Sequence, residues 1–225
     1  MASAAMKINE QPQQSRWLRV VMAEGSEPPE HADDSDEEDT VGLLDDVHPE
    51  LRDWDQWICW KSVGGVKTPR TVDDRRNAST ADRTTWSAFQ TAARALRTAS
   101  PGTFDGIGYI FAADDPYVGF DFDNCLDEHG QAVEWAAPWL ERFRGCYAET
   151  SPSGRGVKVW TRGTIPKGGK VWDGPGEHCG IEAYDRGRYF CVTGRIWGGF
   201  PEEVIPDRQD VIDDLFVWAA EQEPT

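Results

Sequence analysis

Tyr117-Val118-Gly119-Phe120-Asp121-Phe122-Asp123-Asn124-Cys125 is the stretch whose reading settles the architecture. Val118, Phe120 and Phe122 are apolar and β-favouring, so it reads as a buried strand, and Gly119 permits close approach of another group. Side chains alternate across a strand. Asp121 and Asp123 therefore share one face, and Phe120 and Phe122 share the other. Two carboxylates on one strand face repel each other unless a cation sits between them. Oxygen-only ligands suit Mg²⁺ or Mn²⁺ rather than zinc. A solvated strand end with two exposed acids has the same local pattern; the flanking aromatics and the downstream motifs weigh against it.

Working outward, residues 102–111 (GTFDGIGYIF) read as a turn and a strand, and Asp114-Asp115-Pro116 as the turn into the acidic strand. Residues 106–123 are thus predicted to form a hairpin with both carboxylates on an interior strand. Upstream, WDQWICWK is an aromatic strand ending at Lys61, followed by a loop at 64–70 that brings Lys67 and Arg70 close to it. Residues 85–98 have helical spacing, with Trp86, Phe89, Ala93 and Leu96 along one side. Downstream, 132–143 is an amphipathic helix. Residues 157–160 form a strand with Val157 and Val159 facing one way and Lys158 and Trp160 the other. A loop over 167–180 precedes a second predicted hairpin, 180–184 with 189–194, closed by a tight turn at Asp185-Arg186-Gly187-Arg188. Residues 210–221 form a C-terminal helix with Val211, Leu215 and Trp218 inward. There is no internal repeat.

The chain has 225 residues, enough for one sizeable domain with appendages. Its formal charge of −17 would ordinarily argue against nucleic acid as a partner. However, the first 50 residues hold thirteen Asp or Glu against three Lys or Arg, so most of that charge lies outside the motifs. Three segments are predicted: a disordered acidic tail over 1–48, a catalytic domain over 49–205 and the C-terminal helix over 206–225. An apolar patch at 17–22 and the acidic run at 30–39 belong to the tail, where they suit docking on a partner or competition with DNA. The five cysteines contain no C-x-x-C pair and read as reduced, buried thiols. His178-Cys179 has no partners at zinc spacing. Without a signal-peptide core or an apolar run of ~18 residues, the expectation is a soluble, cytoplasmic, nucleoid-associated protein with no membrane contact.

Two further motifs complement the carboxylates. Glu182, set between Ile181 and Ala183, is the best third metal ligand, because an acid inside a strand needs a reason; a solvent-facing strand acid is the alternative. Asp185 is the fallback, although its place beside Gly187 favours a turn. The loop at 151–156 (SPSGRG) leads into Lys158. Its glycines let backbone N–H groups approach phosphate oxygens, and Ser153, Arg155 and Lys158 supply further donors. Lys158 between two valines also fits an edge-strand solubiliser. This loop lacks the spacing of a Walker motif. Arg186 and Arg188 are placed to hold phosphate beside Glu182, with one of them balancing Asp185.

The order WICWK, KTPR, NAST-ADRTTW, GIGYIF, YVGFDFDNCLD, YAETSPSGRGVKVW and GIEAYDRGRYFCVTG resembles the primase-polymerase domains of phage and plasmid replication proteins. These belong to the archaeo-eukaryotic primase superfamily, and the resemblance covers roughly residues 52–200. It implies an α+β (mixed α/β) fold, with an RRM-like antiparallel sheet beside a smaller N-terminal α/β unit. It also implies a DNA primase and polymerase, a nucleotidyltransferase acting in DNA replication. Asp121 and Asp123 match the first motif, and Glu182 the acid of the third. The second motif carries histidine in the family; Gly156-Val157-Lys158 puts lysine there, which retains a cation but not an imidazole.

The implied chemistry is a two-metal nucleotidyl transfer, with Mg²⁺ or Mn²⁺ held by Asp121, Asp123 and Glu182. Ser153, Arg155, Lys158 and Arg188 would bind the nucleoside triphosphate. Lys61, Lys67 and Arg70 would contact a single-stranded DNA template, and a replicative helicase is the expected partner. Two rivals use the same residues. A metal-dependent nuclease of the E-x-K type would need an acid at position 156, which is glycine. A nucleic-acid-binding module that has lost its chemistry is the other, and the lysine at 158 is its best support.

Overall fold

The computed structural model describes residues 44–198 and 204–222. The predicted apolar patch at 17–22 and the acidic run at 30–39 lie outside them. Folded chain begins ahead of Leu51: Leu44 and Val47 are fully buried, and His48 caps a short helix α1 (Pro49–Arg52) by accepting from the Glu50 amide. Residues 44–48 were grouped with the tail by their acidic neighbours, but this i, i+3 apolar pair anchors them to the core.

Among the described residues, nine strands form two antiparallel sheets. One contains β1 (Trp57–Val63), β2 (Val66–Arg70), β3 (Gly106–Ile110) and β9 (Tyr189–Val192), in the order β2-β1-β3-β9. The other contains β4 (Tyr117–Asp123), β5 (Tyr147–Thr150), β6 (Val157–Arg162), β7 (Gly169–Asp173) and β8 (Gly180–Tyr184), in the order β5-β6-β4-β8-β7. Helix α2 (Phe89–Thr98) packs Phe89, Ala92 and Ala93 against Trp57 and Tyr109 of the first sheet. Helices α3 (Ala137–Arg142) and α4 (Gln209–Gln222) cover one face of the second. The fold is mixed α+β, as expected.

Period-two alternation in β4 and its neighbours produces the second core. Val118, Phe120 and Phe122, Val157 and Val159, and Ile181 and Ala183 all enter one cluster with Leu140 of α3 and Val211, Ile212 and Leu215 of α4. The C-terminal helix thus shares the core of the sheet it covers. The opposite face of the second sheet meets the first through rings: Trp160 lies 5.4 Å and Phe111 4.8 Å from Phe190, both edge-on.

Both predicted hairpins are overturned. β3 and β4 belong to different sheets, and so do β8 and β9. Between β3 and β4 the half-buried Asp115 carboxylate accepts from the Ala112 and Tyr117 amides at 2.9 Å each and from Gln56 Nε2 at 2.6 Å. It builds a corner where a hairpin would need a tight two-residue turn. At the second crossing the Phe111 amide donates to the Arg188 carbonyl (2.9 Å) and the Gly187 amide to the Phe111 carbonyl (3.1 Å), drawing β9 onto β3. The acidic strand remains interior, flanked by β6 and β8.

Two segments read as loops, 64–70 and 167–180, contain the edge strands β2 and β7. Pro69 is tolerated on the edge of β2, and a register shift between Lys170 and Trp172 irregularises β7; both devices blunt exposed edges. The helix predicted over 132–143 is confined to Ala137–Arg142, and the one over 85–98 starts at Phe89 after a 3-10 turn. Cys59, Cys125, Cys146 and Cys191 are buried and Cys179 is half-buried, with no disulfide among the described residues. Burial pushes the thiols of Cys59 and Cys125 up to about 12 and that of Cys191 to about 11.

Candidate active site

Directly opposed residues on neighbouring strands share a sheet face. The register pairs Glu149 with Lys158, Lys158 with Asp121, Asp121 with Glu182, and Glu182 with Lys170. One charged row therefore crosses all five strands of the second sheet. The adjacent row on the same face is Tyr147, Trp160, Gly119 and Tyr184. Over Gly119 the first sheet closes in: a Cβ there would overlap the Phe111 ring and come 2.5 Å from the Phe190 ring. The glycine thus seals the two sheets together one row away from the acids. Beyond that seal they part.

The space they leave is a concavity of about 720 Å³. Asp121, Asp123, Lys158 and Glu182 line it from the second sheet, Lys67 from β2, and Arg188 from the second crossing. Lys158 is 6% exposed; its ammonium pairs with Asp121 Oδ2 and lies 4.5 Å from the Phe190 ring centroid. Asp121 Oδ1 is buried without a hydrogen-bond partner. Glu182 accepts a hydrogen bond from the Tyr184 hydroxyl at 2.9 Å and has the Arg188 guanidinium at 3.5 Å. Desolvation and then the Asp121 charge push the Asp123 carboxyl up to about 6, against the pull of Lys158. The acids are thus short of positive charge.

Among the described residues no group of three His, Cys, Asp or Glu side chains already converges as a metal-binding cluster. Asp121 is turned to Lys158, and Glu182 to Tyr184 and Arg188. The donor set nonetheless fits an oxygen-seeking divalent cation. Asp121 offers an unpartnered buried oxygen, Asp123 resists ionising beside it, and Glu182 is the directly opposed residue on the next strand.

No protein-family model matches the chain. Over 145 residues, 64% of its length, it is 31% identical to the DNA primase-polymerase of Nitratiruptor phage NrS-1. The chain is thus similar in sequence to a phage primase-polymerase. It spans about a fifth of that relative's length. The mixed α+β fold agrees with the primase-polymerase resemblance carried by the motifs.

The other residues singled out from the primase-polymerase motifs separate into three groups. Lys158, Arg188 and Lys67 line the cleft with the acids. Ser153 borders an adjoining concavity of about 440 Å³ that shares Asp123 and Glu182 and includes Lys170 and Trp172. Lys61, Arg70 and Arg155 line neither. Lys61 donates to the Gly102 carbonyl, and Arg70 clamps the loop after β2 by donating to Asp74 and Asn77 at 2.7 Å. Arg155 is exposed on the 151–156 loop. Arg186 is the arginine that balances Asp185, at 2.8 and 3.0 Å, leaving Arg188 beside Glu182.

Sequence reasoning passed over Glu149 and the Ser79-Thr80 wall of the cleft. Glu149 is fully buried at the far end of the charged row. It accepts from the Tyr147 hydroxyl and from the Thr193 and Gly194 amides at 2.8 and 3.0 Å, while burial raises its pKa. Its signal was an acid in an otherwise apolar YAET strand, the same signal that drew attention to Glu182. Ser79 and Thr80 carry no charge or spacing that marks them, and they reach the cleft only through the folding of the loop after β2.

Proposed function

We propose that this chain is a DNA-dependent nucleotidyltransferase, a primase, polymerase or both, working in phage or plasmid DNA replication. The observation that carries this reading is the charged row, which sets Asp121 between Lys158 and Glu182, with Asp123 in the same cleft. Asp121, Asp123 and Glu182 would hold Mg²⁺ or Mn²⁺; the metal, when bound, supplies Lewis acidity toward a 3′-hydroxyl and the triphosphate.

The chain's own residues do the rest. Lys67, Lys158 and Arg188 present cations from three walls of the cleft to the phosphates of a nucleoside triphosphate. Lys158 exchanges its Asp121 contact for a phosphate oxygen when the nucleotide enters. The Phe190 and Tyr189 wall keeps water away from the α-phosphate. In the transfer itself, the 3′-oxygen bonds to the α-phosphorus, the bond to the β-phosphate oxygen breaks, pyrophosphate departs, and the hydroxyl proton passes to solvent. Ser153 borders the adjoining concavity that shares Asp123 and Glu182 with this cleft, where the 3′-end of a growing strand would lie. A single-stranded template and a replicative helicase are the partners implied.

A primer-extension and de novo priming assay on single-stranded DNA tests this, with dNTPs or NTPs and either metal. Product from wild type and none from Asp121→Ala/Asp123→Ala is the expected result. A second reading, a binding module without chemistry, is favoured by the Lys158–Asp121 pair, which neutralises a would-be metal ligand. It predicts template binding with no incorporation under any metal.

A further inference from the structure

A third concavity of about 430 Å³ adjoins the acidic cleft, and Thr80 and Gly187 line both. Its principal features are Trp86, Arg83 and Arg186, with Ala81, Ala112 and Ala113 leaving the floor open. The indole is fixed in place. Its Nε1 donates to the Ser79 carbonyl at 2.7 Å, and the ring packs on the small core of Ile58, Ala78 and Ile110. The loop that presents it is cross-braced: Asp82 accepts from the Thr84 amide at 3.0 Å, and the Thr85 hydroxyl donates to the Asp82 carbonyl at 2.7 Å. The Arg83 guanidinium lies 4.9 Å from the Trp86 ring centroid.

We infer that Trp86, Arg83 and Arg186 form a subsite for one unstacked nucleotide of a single-stranded nucleic acid running through the acidic cleft. This rests on the nucleotidyl-transfer reading of the acids. A rigid half-buried indole offers a face on which any base stacks once the Arg83 guanidinium lying over it swings out to a flanking phosphate, with Arg186 nearby for another. Both guanidiniums are shared with acids, Arg83 with Asp114 and Arg186 with Asp185. Arg83 and Asp114 are both more than half exposed, so that ion pair is weak; Arg186 is 65% exposed but is held bidentately by the half-buried Asp185. Each guanidinium has five donors, more than one carboxylate takes up. The cleft itself already holds Lys67, Lys158 and Arg188 for a triphosphate. A separate aromatic and cationic platform one step along the same trough suits a neighbouring nucleotide of the strand better than a second free nucleotide.

The test uses the full chain and a fluorescein-labelled single-stranded oligonucleotide, read by anisotropy without metal or nucleotide, so that its outcome does not depend on catalysis. Arg83→Gln/Arg186→Gln, which changes only surface side chains, is expected to weaken binding about tenfold or more. It should also flatten the dependence of log Kd on log salt by roughly 1.4, at ~0.7 per lost phosphate contact. Trp86→Leu should cost about 5- to 100-fold, with a melting curve confirming that the variant folds. Affinity for a fluorescent dNTP should not change. Unaltered oligonucleotide affinity in the folded arginine variant overturns the subsite. So does an equal loss for the dNTP, which would make it a triphosphate site, or an equal loss for duplex DNA, which would make it a general charge patch. Failure of nucleotidyl transfer would instead appear as no incorporation by wild type with these binding changes intact.

Discussion

The two faces of β4 carry opposite burdens. On one, Val118, Phe120 and Phe122 are buried under α3 and α4, where the Phe120 ring lies 4.9 Å from that of Phe143 in a tilted contact. On the other, Gly119, Asp121 and Asp123 hold no apolar bulk: the glycine admits two phenyl rings, and the acids face a cleft. Residues one step apart along the chain thus serve packing and chemistry separately. The apolar face stabilises the fold, and the acidic face draws on that stability, because two carboxylates are held together with one buried oxygen unpartnered. A strand able to host a cation site is one whose reverse face overcompensates.

Substitutions on each face sharpen this contrast. The largest effect is expected from Asp121→Ala, which should lower nucleotide incorporation by about 10³-fold or more, roughly 4 kcal/mol of transition-state stabilisation. Far-UV circular dichroism and oligonucleotide affinity should stay as in wild type. Phe120→Ala, one position away, should do the reverse: unfolding by denaturant should reveal a loss of about 3–5 kcal/mol, with the residual folded fraction keeping its metal response. Gly119→Ala comes next, at about 1–3 kcal/mol, because the added methyl collides with Phe111 and Phe190. If calorimetry shows no loss, the two sheets do not close on that glycine.

The smallest effect carries the sign that separates the faces. The Asp123 carboxyl titrates at about 6 in the fold, above its ordinary 3.8. A raised acid pKa means that the folded state holds the proton more tightly, so stability is present at low pH and is lost as pH climbs from about 4 through 6. Asp123→Asn should therefore stabilise the metal-free protein above pH 6 by up to about 1 kcal/mol, discounted because the side chain is exposed to solvent screening. That corresponds to a rise in melting temperature of about 2–4 °C. The gain should shrink toward pH 4. Adding Mg²⁺ or Mn²⁺ should raise the melting temperature of wild type but not of the variant. Equal melting of the two at pH 7.5 would mean that the acids are not in conflict.

The alternation of residues 117–123 alone assigns both faces of β4, because the period of two leaves no other arrangement for Phe120 and Phe122 inside and Asp121 and Asp123 together. The same logic places Lys158 with Trp160 and away from the two valines, and Glu182 stands out as an acid between Ile181 and Ala183 inside a strand. Sheet membership was not readable. Short connections before β4 and after β8 look like hairpins, and only the Asp115 corner and the Phe111–Arg188 hydrogen bond reveal that both cross between sheets. Edge strands escaped notice because their glycines, lysines and proline, which guard an open edge, are also the composition of a loop. Lys61 and Arg70 fell near the motifs in sequence, but the folded chain ties them to Gly102 and to Asp74 and Asn77. Proximity along the chain does not encode where a long side chain finds its partner.

The buried thiols provide the protein with two native clocks. Cys59 sits in the core beneath the first sheet, and Cys125 and Cys146 in the core beneath the second. A thiol reacts as its thiolate, so Cys59 and Cys125, pushed up to about 12, stay silent toward alkylating reagents until their surroundings open. Mass-resolved labelling would then time the opening of each sheet from its own cysteines, without a single engineered probe. Matching rates would show that the two crossings weld both layers into one cooperative unit. Diverging rates would identify which layer loosens first around the cleft.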